Sequence, residues 1–172
     1  ARPAAPTEVV PYNFRRPPRI SRERQAVLDA RERVVETTGC REVVDGLFVT
    51  GSIPRETAFE DVGGRFFLDA ELRSPDPLVD DQALFCPTRE GTVVVLGCAH
   101  AGVVNTLRYI QRLTQGARLR AVLGGLHLVN ASDARLDATI GSLREWDIPR
   151  LFPAHCTGLP ATARLWECLR GR

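Results

Sequence analysis

The sequence predicts an α/β domain with a largely parallel sheet, and three observations carry that prediction. From Gly91 onward, a unit of strand, histidine-bearing loop and helix occurs three times. Alternation of the two hydrophobic periods sets successive strands side by side with helices crossing between them. A hydrophobic share of 44% over 172 residues is enough for one good core, a single domain or a large piece of one.

The elements follow in chain order. Residues 1–20, rich in Pro and Arg and without periodicity, are expected to form an extended or disordered segment ahead of a domain over residues 21–172. A polar helix is predicted from Ser21 to Thr37, with Ser21 as N-cap, strong helix formers and a Gly stop. "REVVDGLFVTGSIPRETAFE" reads as strand, Asp-Gly turn, strand, and a loop fixed by Pro54. Asp61 to Pro87 is mixed and loop-like, with a helix or a strand around Leu78 to Phe85. Then "TVVVL" runs through "GCAHAG" into a helix ending at Leu113. "RLRAVL" runs through "GGLHLVNAS" into a helix to about Trp146, and "PRLF" through "PAHCTG" into a helix to about Leu169.

Charge and cysteine usage narrow the function. A net charge of +2 is too small for an electrostatic nucleic-acid surface, and the exclusive use of Arg over Lys reads as coding bias. No apolar run approaches a membrane span and no signal segment opens the chain, so a soluble, cytoplasmic protein is expected. Cys40, Cys86, Cys98, Cys156 and Cys168 form an odd set without regular spacing, which argues against a disulfide framework and against a zinc finger. Cys40, Cys86 and Cys168 are expected to be buried thiols. Cys98 and Cys156 stand within two residues of a histidine and are weighed with it.

His100, His127 and His155 are the only histidines, and each falls at the carboxyl end of a predicted strand, where α/β sheets place their sites. One such histidine is ordinarily a satisfied polar residue. Three together reverse that reading, because neutral imidazole is the commonest metal ligand and a zinc or iron site requires several converging donors. Gly97, Gly102, Gly124 and Gly125 allow close backbone approach, though tight turns need glycine in any case. The helix starts after Ala101, Ser132 and Pro160 are expected to offer N–H groups toward an anionic substrate.

"GCAHAGVVNT", "GGLHL" and "PAHCTG", preceded by "TGSIPRETAFE" and "DDQAL", resemble the metallo-β-lactamase-fold superfamily. More narrowly they resemble its subfamily named for dihydropterin ribofuranosylaminobenzene-phosphate synthase, over roughly Gly46 to Gly158. The resemblance implies an αββα sandwich, of which this chain is the C-terminal part, with a metal site along one sheet edge. It also implies hydrolysis of an ester, amide or phosphate, or a group transfer assisted by the metal. A divalent ion is implied, zinc first and Mn or Fe as alternatives, with a small-molecule substrate that is phosphorylated or pterin-like. By position His155 resembles the last ligand histidine of the superfamily. Cys98 and His100 compete for the next ligand position, with His100 favoured, and His127 resembles a ligand, a neighbour of the ligands or a substrate-facing residue. Arg55 and Glu60 would line the substrate entrance, or form a surface ion pair. Asp80 and Asp81 would face metal or substrate, or Asp81 would cap the next element. Asn105 would contact substrate or bond loop carbonyls.

One departure matters as much as the match. The superfamily's His-x-His-x-Asp-His run, which supplies half of the site, is absent, and three histidines exhaust the supply. The metal site is therefore expected to be incompletely ligated and the chain inactive alone. It would need a missing N-terminal half or a homo-oligomer, since one half of the sandwich leaves an apolar sheet face uncovered. Its rival is a non-catalytic binding or assembly module on a degenerate fold. His100 and His155 are expected on one sheet edge, close enough to share one metal, with His127 lining the same cavity.

Overall fold

The structure is a computed structural model that describes residue 35 and residues 37–169. The expected segment over residues 1–20 lies outside the described residues, as does nearly all of the helix expected from Ser21. Val35 and Thr37, the described residues of that range, are not helical. The chain divides into two compact units, and residues 37–66 with residues 77–169 make up the described part of the larger. In the smaller unit, Phe67 pairs with Pro75, and the Asp69 carboxylate accepts the N–H groups of Arg73 and Ser74.

The larger unit is built on one six-stranded sheet: β1 (Arg41–Val44), β2 (Leu47–Val49), β3 (Ala83–Thr88), β4 (Gly91–Leu96), β5 (Leu119–Gly125) and β6 (Arg150–Ala154), adjacent in that order. The expected parallel pairing holds for β4, β5 and β6, whereas β1 to β4 are antiparallel. Connection length explains the division. The two-residue links Asp45-Gly46 and Arg89-Glu90 can join only antiparallel neighbours, while parallel strands need a crossover helix. The undecided stretch around Leu78 to Phe85 resolves into a loop and the start of β3.

Three helices complete the unit: α1 (Val103–Leu113), α2 (Asp133–Glu145) and α3 (Leu159–Leu169), the last preceded by a single 3₁₀ turn at His155–Thr157. Thr92, Val94 and Leu96 on β4, Phe85 on β3 and Val122 on β5 are buried on one sheet face. The core they form with Val104, Leu107 and Ile110 of α1, Ile140 and Leu143 of α2 and Leu165 of α3 is continuous. The other face is different. Register aligns Val49, Leu84, Val95, Leu123 and Phe152 in one row across five strands, and Val95 and Phe152 are 37% and 56% exposed. One sheet with helices on one side and an apolar row on the other is half of an αββα sandwich.

The cysteine expectation needs correction. Cys40 is exposed and Cys86 and Cys168 are only partly buried. Cys40 precedes an edge strand whose four residues all face solvent, so no core is at hand to enclose it.

Candidate metal centre

The strand ends of β4, β5 and β6 carry the three histidines, as their spacing predicted. In each of the three loops one non-glycine residue takes a left-handed backbone: Ala99 at φ 56°, His127 at 49° and His155 at 50°. Such conformations cost energy and persist where surrounding structure over-determines them, commonly at functional sites.

Cys98, His155 and Cys156 bring their donor atoms within 4.8 Å of one another. Cys98 Sγ lies 3.2 Å from His155 Nε2, and the Cys156 thiol contacts the Cys98 carbonyl at 3.3 Å. Gly125 makes room, since a Cβ there would stand 2.6 Å from Cys156 Sγ. Tetrahedral zinc with bonds of about 2.0–2.3 Å needs its donors about 3.3–3.8 Å apart. Cys98 and His155 stand near this spacing, and two cysteines with an imidazole are the donor types that suit one thiophilic divalent ion, with a fourth position left to another ligand. Burial raises the Cys98 thiol above its ordinary pKa, reinforced by neighbouring Cys156 and by the Asp81 charge. A cation would remove that penalty, because it favours the thiolate.

His100, expected beside His155, keeps different company. Its ring packs against that of His127 at 4.1 Å between centroids, tilted by 51°, and meets Phe66 edge to face. His100 Nδ1 lies 2.9 Å from the Val62 carbonyl, and His127 Nε2 lies 3.1 Å from the Gly63 carbonyl. Each of those nitrogens must carry its proton to donate to a carbonyl. His127 is 9% exposed, and burial lowers its pKa below 6.5, with the His100 and Arg135 charges opposing protonation as well.

The remaining candidates hold the backbone of these loops. Asp81 accepts the N–H of Ala101 at 2.7 Å, and Asp80 is exposed. Arg55 donates to the His100 carbonyl and to Pro77, both at 2.7 Å. Glu60 does not pair with Arg55; it accepts the Val104 and Asn105 N–H groups at 2.8 Å. Asn105 is buried, accepts from Glu56 and Thr57, and donates to the Ala101 carbonyl. The expectation that the first two helix starts offer N–H groups to substrate is corrected accordingly. Glu60 occupies the start of α1, and Ser132 accepts the Arg135 N–H at the start of α2.

Sequence reasoning gave two residues here no place in the site. Cys156 stood beside His155 but offered no spacing to Cys98, 58 positions away, and only strand adjacency brings them together. Arg135, in the first turn of α2, is 5% exposed and carried no signal at all, one Arg among many.

No protein-family model matches the chain. An uncharacterized protein of Methanocaldococcus jannaschii is 31% identical over 119 residues, 69% of this chain and 43% of the relative. The 7,8-dihydropterin-6-methyl-4-(β-D-ribofuranosyl)-aminobenzene-5′-phosphate synthase of the same organism is 28% identical over 129 residues, 73% of this chain and 44% of the synthase. Among solved structures, Tm1679, a metal-dependent hydrolase of the β-lactamase superfamily, superposes with a TM-score of 0.66 at 30% identity. That match covers 78% of this chain and 50% of Tm1679. The chain thus spans about half the length of the relatives it matches. Half of the αββα sandwich, the three histidine-bearing strand ends and these likenesses give the chain the fold of the metallo-β-lactamase superfamily and make it similar to the dihydropterin ribofuranosylaminobenzene-phosphate synthase subfamily.

Proposed function

We propose that the chain supplies one half of a metal-dependent hydrolase or group-transfer site, in which Cys98, His155 and Cys156 hold a single thiophilic divalent ion. The observation that carries this reading is the convergence of the three donor atoms within 4.8 Å at the ends of strands remote in sequence. Two sulfur donors favour zinc over the Mn and Fe alternatives. When bound, the ion supplies Lewis-acid polarisation of a substrate oxygen. Asp81 and Arg55 hold the Cys98–Ala101 loop in place through backbone bonds, and His100 and His127 present the polar wall of the same cluster of loops.

The substrate is a small phosphorylated or pterin-like molecule, a reading supported by the name of the synthase to which the chain is 28% identical. A further segment, or a second copy of the chain, completes the ligand set and covers the apolar row from Val49 to Phe152. Relatives about twice as long support the first of these. Cys98 and Cys156 must stay thiols to serve as ligands, which suits a reducing, cytoplasmic setting.

Cobalt substitution tests the centre. One equivalent should produce a thiolate-to-cobalt charge-transfer band that Cys98→Ser and Cys156→Ser each reduce by about half, and His155→Ala should weaken binding at least about tenfold. A band indifferent to all three substitutions would remove these residues from the site.

A further inference from the structure

The loop Asp61–Gly64 is tied to the two neighbouring imidazoles at two points and to Arg135 at a third. Val62 and Gly63 carbonyls engage His100 Nδ1 and His127 Nε2, and the Asp61 carboxylate pairs with Arg135 Nη1. The contact is close, because a Cβ on Gly63 would fall 1.8 Å from His127 Cδ2, and Gly63 takes φ 73°. Only glycine fits there, and the following Gly64 gives the loop a second pliable joint.

The partners at the Arg135–Asp61 pair are unequal. The Arg135 side chain is 6% exposed while that of Asp61 is 73% exposed. Asp61 satisfies one arm of the guanidinium, and Arg135 Nε and Nη2 are buried without a hydrogen-bond partner. His127 Nδ1, in the same polar cluster, is buried and unpartnered too. Nε–H and Nη2–H lie on one edge of the guanidinium and point the same way, the fork that receives two oxygens of a phosphate. Burying a guanidinium with that edge unused is costly, so a purely structural ion pair would be expected to complete it. Other arginines of α2 and α3 show the contrast: Arg164 divides its two terminal nitrogens between Asp133 and Asp137.

We propose that Arg135 anchors a phosphate-binding subsite for the small-molecule substrate, and that Asp61 is an intramolecular stand-in which a phosphoryl group displaces as the Asp61–Gly64 loop opens. Displacement frees Nη1 from its carboxylate, gives the unpartnered Nε and Nη2 phosphate oxygens to bond, and releases His100 and His127 from the Val62 and Gly63 carbonyls. The subsite rests on the substrate reading above, and it makes the closed loop a lid that the substrate's own charge unlocks.

The test uses the full chain washed with chelator, so that no metal can hold phosphate. Inorganic phosphate is titrated while the histidine imidazole resonances and the thermal midpoint are followed. Saturable shifts at His127 and a rising midpoint are expected. Asp61→Asn should tighten binding about tenfold, because apparent affinity scales with the open fraction of the loop. Arg135→Lys should weaken it at least about tenfold, since a lysine has no fork. No saturable shift in the parent chain, a shift that survives Arg135→Lys unchanged, or acetate binding as tightly as phosphate would each overturn the proposal. The parent titration decides even if a variant fails to fold. Cobalt binding at Cys98, His155 and Cys156 is read separately, so failure of the metal reading and failure of the subsite are distinguishable.

Discussion

Individual side chains in these loops are set more by burial and backbone partners than by their chemical type. His127 illustrates this: enclosed and donating to Gly63, it resists protonation. The unfolded chain, with an ordinary imidazole near 6.5, binds a proton that the folded chain rejects. Stability should therefore be level above about pH 6.5 and fall as pH drops from there toward the lowered folded pKa. Urea midpoints measured between pH 7.5 and 5 should show this slope, and His127→Gln, which retains a donor for Gly63, should flatten it. An equal slope in both proteins would assign the effect elsewhere. Arg55 and Asn105 make the same point differently. Both were legible as residues near the site, but their polar groups are spent on carbonyls and N–H groups of the backbone.

At the scale of elements, α1 depends on a residue outside it. No side chain at its own N-cap, Gly102, bonds the first turn. Glu60, more than 40 positions upstream, accepts from both Val104 and Asn105 and places a negative charge at the positive end of the helix. Glu60→Ala should cost about 1–2 kcal/mol in urea unfolding. It should also speed amide exchange at Val104 and Asn105 ahead of the rest of α1. Loss of stability with those two amides still protected would show that Glu60 acts through Thr57 instead, its third partner. Helix and strand existence was legible for every described element after Gly91, because each carries a sustained apolar period and a turn signal. The start of β3 was ambiguous, since a short apolar run fits either period.

The whole molecule presents an asymmetry between its two sheet faces. Helices seal one, while Val49, Leu84, Val95, Leu123 and Phe152 cross the other as an apolar row. No described helix is long and apolar enough to cross a membrane, so the row is not accounted for by a span. Val95→Thr with Phe152→Ser should raise the monomeric fraction of the isolated chain in sedimentation velocity. The pair should leave its thermal midpoint within a few degrees, as expected for substitutions away from the sealed core. The same pair should abolish assembly with a co-expressed segment of a relative carrying the His-x-His-x-Asp-His run. Hydrolysis of phosphodiesters or esters should appear only when that segment is bound, and enzyme-like turnover by the chain alone would contradict the half-site reading.

Local sequence by itself determined the alternation of strand and helix, the placement of all three histidines at strand ends and the apolar character of both sheet faces. These depend on hydrophobic period and turn chemistry, which act over a few neighbouring residues. Which donors meet was decided only by tertiary structure. Cys98 finds His155 and Cys156 because β5 lies between β4 and β6 in parallel register, and Gly125 leaves space for the sulfur. His100, two residues beyond Cys98 across the left-handed Ala99, packs against His127 and bonds the Val62 carbonyl. Arg135 acquires its buried, half-used guanidinium from the same packing. Distances across a sheet are set by strand order and register, and no short-range pattern in a chain encodes them.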